Sequence, residues 1–134
     1  MASLHREETL SVSADTAWAA LREPGNAPKL FAPVLTGGSM NGDIRTAHFA
    51  NGMVVEERIV DIDDERRRIA YTAVKGTPMT HHNASMQIID DGPERCRFVW
   101  ITDVLPNEIA AAIEPLVDQG SLALKKNLER GISL

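Results

Sequence analysis

The sequence holds a single cysteine, Cys96, and aromatic side chains make up only 4% of it. One cysteine excludes an internal disulfide, and Cys96, inside an apolar alternating stretch, reads as a small core residue rather than a reactive thiol. Long apolar runs are missing too: Ile109–Ile113 is as long as any, far below the ~18 residues a spanning helix requires. The N-terminus shows no basic-then-apolar leader, so a cytoplasmic location with no membrane span is expected.

Positive charge is in deficit. Fourteen Lys and Arg against nineteen Asp and Glu leave a net charge of -5, which repels polyphosphate and anionic membranes at long range and argues against nucleic acid as a partner. The one basic run, Arg66-Arg67-Arg68, follows Asp61, Asp63, Asp64 and Glu65 and reads as a solvated hairpin tip.

Site signatures are equally sparse. There is no His-Glu-x-x-His or Cys-x-x-Cys, and the adjacent His81 and His82 of a strand point to opposite faces, so no metal is expected. Gly37, Gly38 and Gly42 precede no Lys-Ser or Lys-Thr pair, which removes phosphate-loop and dinucleotide signatures and leaves no cofactor to expect. No Gly-x-Ser-x-Gly elbow is present, and nothing gives Ser85 and His82 triad geometry.

What remains is a chain of 134 residues, 43% hydrophobic, suited to one domain over residues 1–134. Leu10 and Val12 close a first strand. Ser13 or Asp15 can then cap a helix that carries Trp18 and Leu21 inward. Pro24-Gly25 ends it, and Asn26 is placed to cap a second short helix through Leu30.

From Val34 to Val104 the apolar period becomes two, with turn signals at Gly37-Gly38, Asn41-Gly42-Asp43, Asn51-Gly52, Asp63-Asp64-Glu65, Lys75-Gly76-Thr77-Pro78 and Asp90-Asp91-Gly92-Pro93. Six successive strands with short connections predict an antiparallel meander. After Pro106 the period returns to that of a helix, with Ile109, Ile113, Leu116, Val117, Gly120, Leu124 and Leu128 on one stripe and Gly131 as the stop. Pro115 predicts a short turn from Asn107 and a main helix from about Glu114. The fold class is therefore α+β, a curved antiparallel sheet of about seven strands around a long C-terminal helix, with two short helices after the first strand.

Particular residues stand in this order: Ser13 to Trp18 at the first helix, Gly42 to Arg45, Asn51-Gly52, Glu57 to Asp63, Tyr71, Trp100, and Gly120 with Leu124 to Glu129. Together they resemble the polyketide cyclase/dehydrase branch of the START and Bet v 1-like (SRPBCC) superfamily of helix-grip domains, over nearly the whole chain. The resemblance implies one START/Bet v 1-like domain with a cavity between helix and sheet and a small hydrophobic molecule as partner. It does not fix the ligand, because fold does not fix function.

The loop Ala50-Asn51-Gly52 can close a three-residue hairpin that sets Phe49 opposite Met53, Ala47 opposite Val55 and Arg45 opposite Glu57. A two-residue turn would instead set Arg45 beside Arg58, a less favourable arrangement of charge. On the concave face Arg45 and Glu57 are a charged pair in an apolar cup, where they would orient a polar ligand end. On the convex face they are a solvated pair of little energetic weight.

Candidate ligand-binding residues follow from strand parity and the helix stripe: Phe49, Val55, Tyr71, His82, Met86, Phe98, Trp100, Leu116, Gly120 and Leu124. Tyr71, His82 and Trp100 are also readable as core residues with locally satisfied polar atoms. Any catalysis would be proton transfer on a bound carbonyl compound, with Glu57 as acid/base and Arg45 steadying developing negative charge, as in a cofactor-independent polyketide cyclase or dehydratase. A third reading is an interaction module whose cavity has collapsed.

Overall fold

A computed structural model describes residues 2–134. The chain runs β1 (Ser3–Leu10), α1 (Ala14–Leu21), a 3-10 turn (Pro24–Asn26), α2 (Ala27–Leu30), β2 (Leu35–Asn41), β3 (Ile44–Phe49), β4 (Val54–Asp63), β5 (Arg68–Lys75), β6 (His81–Asp90), β7 (Cys96–Leu105) and α3 (Asn107–Glu129). β2 to β7 form the expected meander, and β1 closes onto β7, giving a seven-stranded antiparallel sheet in the order β1-β7-β6-β5-β4-β3-β2. This is the helix-grip arrangement, with α3 held against the sheet.

Ser13 caps α1 by accepting the Thr16 N–H at 3.1 Å, satisfying a donor that the first turn leaves free. Trp18 and Leu21 turn inward as expected, and the Trp18 indole N–H donates to Asp64 at 2.9 Å in the tip between β4 and β5. Asp63 in that tip accepts the Arg66 N–H, so the basic run does sit on a hairpin turn. Asn26 precedes α2 but makes no cap bond; its amide donates to the Ala20 carbonyl instead, joining the two short helices.

The Gly37-Gly38 pair is not a turn. It lies inside β2, where the register shifts against β3 between Leu35 and Gly37, and a Cβ on Gly38 would stand 2.6 Å from the Thr46 carbonyl oxygen. Two further shifts, at Glu56/Glu57 and at Ile59/Asp61 of β4 against β5, bend this edge of the sheet around α3. They leave Val74 and Val60 as extra residues on the outer surface, and both are exposed.

The helix from Asn107 is continuous and contains Pro115; no break separates a short turn from a main helix. The proline ring removes the hydrogen bond to the Ala111 carbonyl, but Ala111 and Pro115 are both exposed, so water can satisfy that oxygen and the helix passes on. The inward stripe is Val117, Gly120, Ser121, Leu124 and Leu128. Ties to β1 fix it lengthwise: Arg6 pairs with Asp118, Lys125 donates to the Thr9 carbonyl at 2.5 Å, and Glu129 accepts the Ser11 N–H at 2.9 Å.

Buried Asn127 donates to the Leu30 and Ala32 carbonyls, each at 2.9 Å. It thereby satisfies carbonyls that the end of α2 leaves free and fixes the short helix to the long one.

The core is filled unevenly along α3. Around its C-terminal half, Leu10, Leu30, Ile88, Cys96, Phe98, Leu124 and Leu128 pack without exposure or nearly so. Around its N-terminal half the sheet and the helix stand apart.

Candidate functional site

The space left there is a cavity of about 110 Å³, partly open to solvent and walled by all the central strands, α3 and the end of α2. β3 contributes Arg45, Ala47 and Phe49, β4 Val55 and Glu57, β5 Tyr71 and Ala73, β6 His82 and Met86, and β7 Trp100 and Thr102. Ile113, Leu116, Val117 and Gly120 of α3 close the opposite side.

The hairpin between β3 and β4 has the three-residue form. Gly52 takes φ +93°, its N–H reaches the Phe49 carbonyl at 3.0 Å, and Phe49 donates to the Met53 carbonyl at 2.9 Å. A positive φ at that position suits glycine, and the register it imposes sets Arg45 opposite Glu57 and Ala47 opposite Val55. The pair lies on the concave side: Arg45 Nε donates to Glu57 Oε1 at 3.0 Å, and the two side chains are only 11% and 13% exposed. Arg45 Nη1 also donates to the Pro24 carbonyl at 3.2 Å, and the guanidinium stands 5.1 Å over the Tyr71 ring, a cation–π distance.

Tyr71 keeps its proton. Burial raises its pKa well above the ordinary phenol value, the Glu57 charge adds to the rise, and the Arg45 charge opposes it. The Trp100 indole nitrogen is buried and has no hydrogen-bond partner among the described residues. Trp100 itself is half-buried, tilted against Phe31 and Phe98 at centroid distances of 5.7 and 6.2 Å.

His82 is occupied by the protein. Ladder pairing between β5 and β6 stops at Tyr71 and Ala84, and beyond it the imidazole bridges the strands. Nδ1 accepts the Ala73 N–H at 2.8 Å, so the ring proton is on Nε2, which lies 3.3 Å from Thr102 Oγ1. With both nitrogens engaged, His82 is a wall rather than a free donor.

Burial is the main cause that pushes the His82 pKa down to about 4 from an ordinary 6.5, with the His81 charge adding to it. The unfolded chain therefore binds the extra proton between those values. Stability contributed by neutral His82 is complete above pH 6.5 and is lost as the pH falls toward 4, at up to ~1 kcal/mol per pH unit. Urea unfolding across this window should show that slope, and His82→Gln should flatten it; an unchanged slope would remove the assignment.

Phe49, Val55, Tyr71, His82, Met86, Trp100, Leu116 and Gly120 all stand on the cavity wall, together with Arg45 and Glu57. Phe98 and Leu124 do not. Both are wholly buried in the filled end of the core, because parity and helix stripe specify which face a side chain takes and not its position along the cup. Trp18 is likewise in that core rather than on the wall. Wall residues without a readable sequence signal are Phe31 after α2, Met53 in a hairpin, and Thr77 and Met79 in the β5–β6 loop, while Ile113 lies on the helix stripe. Cys96 is fully buried, and burial pushes its thiol up to about 11, which leaves it unreactive at neutral pH.

Gly120 permits a close approach rather than leaving free space. A methyl group on it would stand 3.0 Å from Trp100 Cζ3 and 3.3 Å from Cη2. Gly120→Ala should remain within ~1 kcal/mol of the native stability, since the better helix propensity offsets the displacement of the indole. That displacement goes into the cavity, so uptake of a small aromatic probe should weaken, and Gly120→Leu should abolish it in a folded protein. Calorimetric titration checks both, and undiminished uptake by Gly120→Leu would contradict the geometry.

The family described as polyketide cyclase / dehydrase and lipid transport matches residues 1–129. Among solved structures, the XoxI protein of Bacillus cereus superposes with a TM-score of 0.86 at 17% identity, over 96% of each chain. A START superfamily protein of Mycobacterium smegmatis gives 0.78 at 14% identity, over 96% of this chain and 97% of that one. Norcoclaurine synthase of Thalictrum flavum, solved with dopamine and hydroxybenzaldehyde, gives 0.71 at 21% identity, over 98% of this chain and 88% of that one. No curated protein matches the sequence. At these identities the structural likenesses establish the fold, and the match over residues 1–129 establishes that the chain belongs to the polyketide cyclase / dehydrase and lipid transport family.

Proposed function

We propose that the chain acts as one domain that binds a small hydrophobic or aromatic ligand, lipid-like or polyketide-like, between the sheet and α3. The observation that carries this reading is the cavity of about 110 Å³, apolar over most of its wall and holding one ion pair. Benzene fits an apolar cavity of ~150 Å³, so the enclosed part suits one ring or a short chain, and a longer molecule would project through the opening. The family description includes lipid transport, and the norcoclaurine synthase structure holds two small aromatic molecules; both support the reading. The net charge of -5 weighs against nucleic acid. Among the described residues no helix is long and apolar enough to cross a membrane.

Native mass spectrometry of freshly purified protein, followed by titration with toluene monitored by amide NMR shifts, tests the proposal. A retained small-molecule mass, or saturable shifts at Tyr71, Met86 and Gly120, is the expected result. Absence of both a retained mass and saturable shifts would overturn it.

A second reading is catalytic. Glu57 faces the same cavity as Tyr71 and is near enough to raise its pKa, and a carboxylate so placed can take a proton from a bound carbonyl compound while Arg45 steadies the enolate. Turnover of such a compound that is lost in Glu57→Gln would favour it. The open volume weighs against an interaction module with a collapsed cavity.

A further inference from the structure

Arg45 and Glu57 are the only charged residues on the cavity wall among the described residues, and they neutralise each other. Their contact uses one atom of each, Nε and Oε1. Arg45 Nη1 is taken by the Pro24 carbonyl, while Nη2 and Glu57 Oε2 have no partner among the described residues. Nor are those two atoms sealed off, unlike the Trp100 indole nitrogen, which is buried without an acceptor. The ion pair thus offers surplus donors and one surplus acceptor, with no surplus charge.

We propose, on the reading that this cavity binds a small apolar ligand, that it selects uncharged molecules whose polar end combines an acceptor and a donor, such as a carboxamide or a phenol, and discriminates against carboxylates and amines. A carboxamide presents its oxygen to Arg45 Nη2 and its N–H to Glu57 Oε2, completing groups already poorly solvated. A carboxylate would satisfy the donors but stand against the Glu57 charge, and an ammonium would stand against Arg45. Neither brings a counter-charge into a site where an uncompensated ion is expensive. No other wall residue alters this balance: His82 is neutral with both nitrogens engaged, and Tyr71 keeps its proton.

Calorimetric or NMR titration of the purified protein with toluene, benzamide and benzoate at pH 7 separates the outcomes. Benzamide should bind at least about tenfold more tightly than benzoate, the minimum expected of one uncompensated charge in such a site. Toluene should fall between them. In Glu57→Ala, where Arg45 is left without its partner, benzoate should overtake benzamide. If toluene binds the native protein and benzoate equals or exceeds benzamide, the selectivity is refuted while the cavity remains a binding site. If none of the three binds, the binding reading fails and the selectivity with it.

Discussion

Phe98→Ala should lower the stability of the fold by ~3–5 kcal/mol, yet change the affinity for toluene little. Trp100→Ala, two residues along the same strand, should cost less stability and change ligand binding more. Phe98 is 0% exposed and packed on all sides in the filled half of the core, so its removal leaves a void that surrounding side chains cannot close. Trp100 borders empty space already; part of its surface has no atoms to lose contact with, and the expected loss is ~2–3 kcal/mol. Its removal extends the existing cavity, so Trp100→Ala should enclose naphthalene where the native cavity encloses only a single ring. Urea unfolding and titration with the two hydrocarbons check the pair. Equal stability losses, or a native-like size limit in Trp100→Ala, would show that the filled and open halves of the interior are wrongly divided.

That division is where the sequence stops being informative. The element order was legible because each element is locally consistent: Ser13 caps, Pro24-Gly25 breaks, the strands alternate and the last segment carries a helical stripe. The hairpin register was legible because Gly52 at a left-handed position favours one turn length and pairs opposite charges. Depth was not. Phe98 and Trp100 share a face and a strand, and nothing local says that one lies below the cavity and the other beside it. Pro115 suggested a break because proline is unfavourable inside helices, but it occupies the solvated side, where the lost bond is replaced by water. His82 showed its face but not its partner, since Ala73 meets it only after the β5–β6 ladder has parted. Met53, Met79 and Phe31 stand in connections, which have no periodicity to read.

The Arg45 and Glu57 pair carries the last prediction. Both side chains are largely buried, their contact is 3.0 Å, and the surrounding wall is apolar. Either Arg45→Ala or Glu57→Ala strands the remaining charge in a poorly solvated place, with an expected loss of ~3–5 kcal/mol for each. The double variant removes both charges, and its loss should be well short of the two single losses combined. The coupling energy in the cycle should therefore be at least ~2 kcal/mol. An exposed strand pair would give a coupling of ~0.2–1 kcal/mol, so the two placements are separable by equilibrium unfolding. Arg45 has further partners in the Pro24 carbonyl and the Tyr71 ring, which predicts an asymmetry: Arg45→Ala should cost more than Glu57→Ala, because it also frees that carbonyl and the ring face. Benzoate should recover part of the loss in Glu57→Ala, since its carboxylate can stand where the Glu57 carboxylate stood, and none of it in Arg45→Ala. A coupling indistinguishable from zero would remove the pair from the cavity, and with it the only acid/base group available to a catalytic reading.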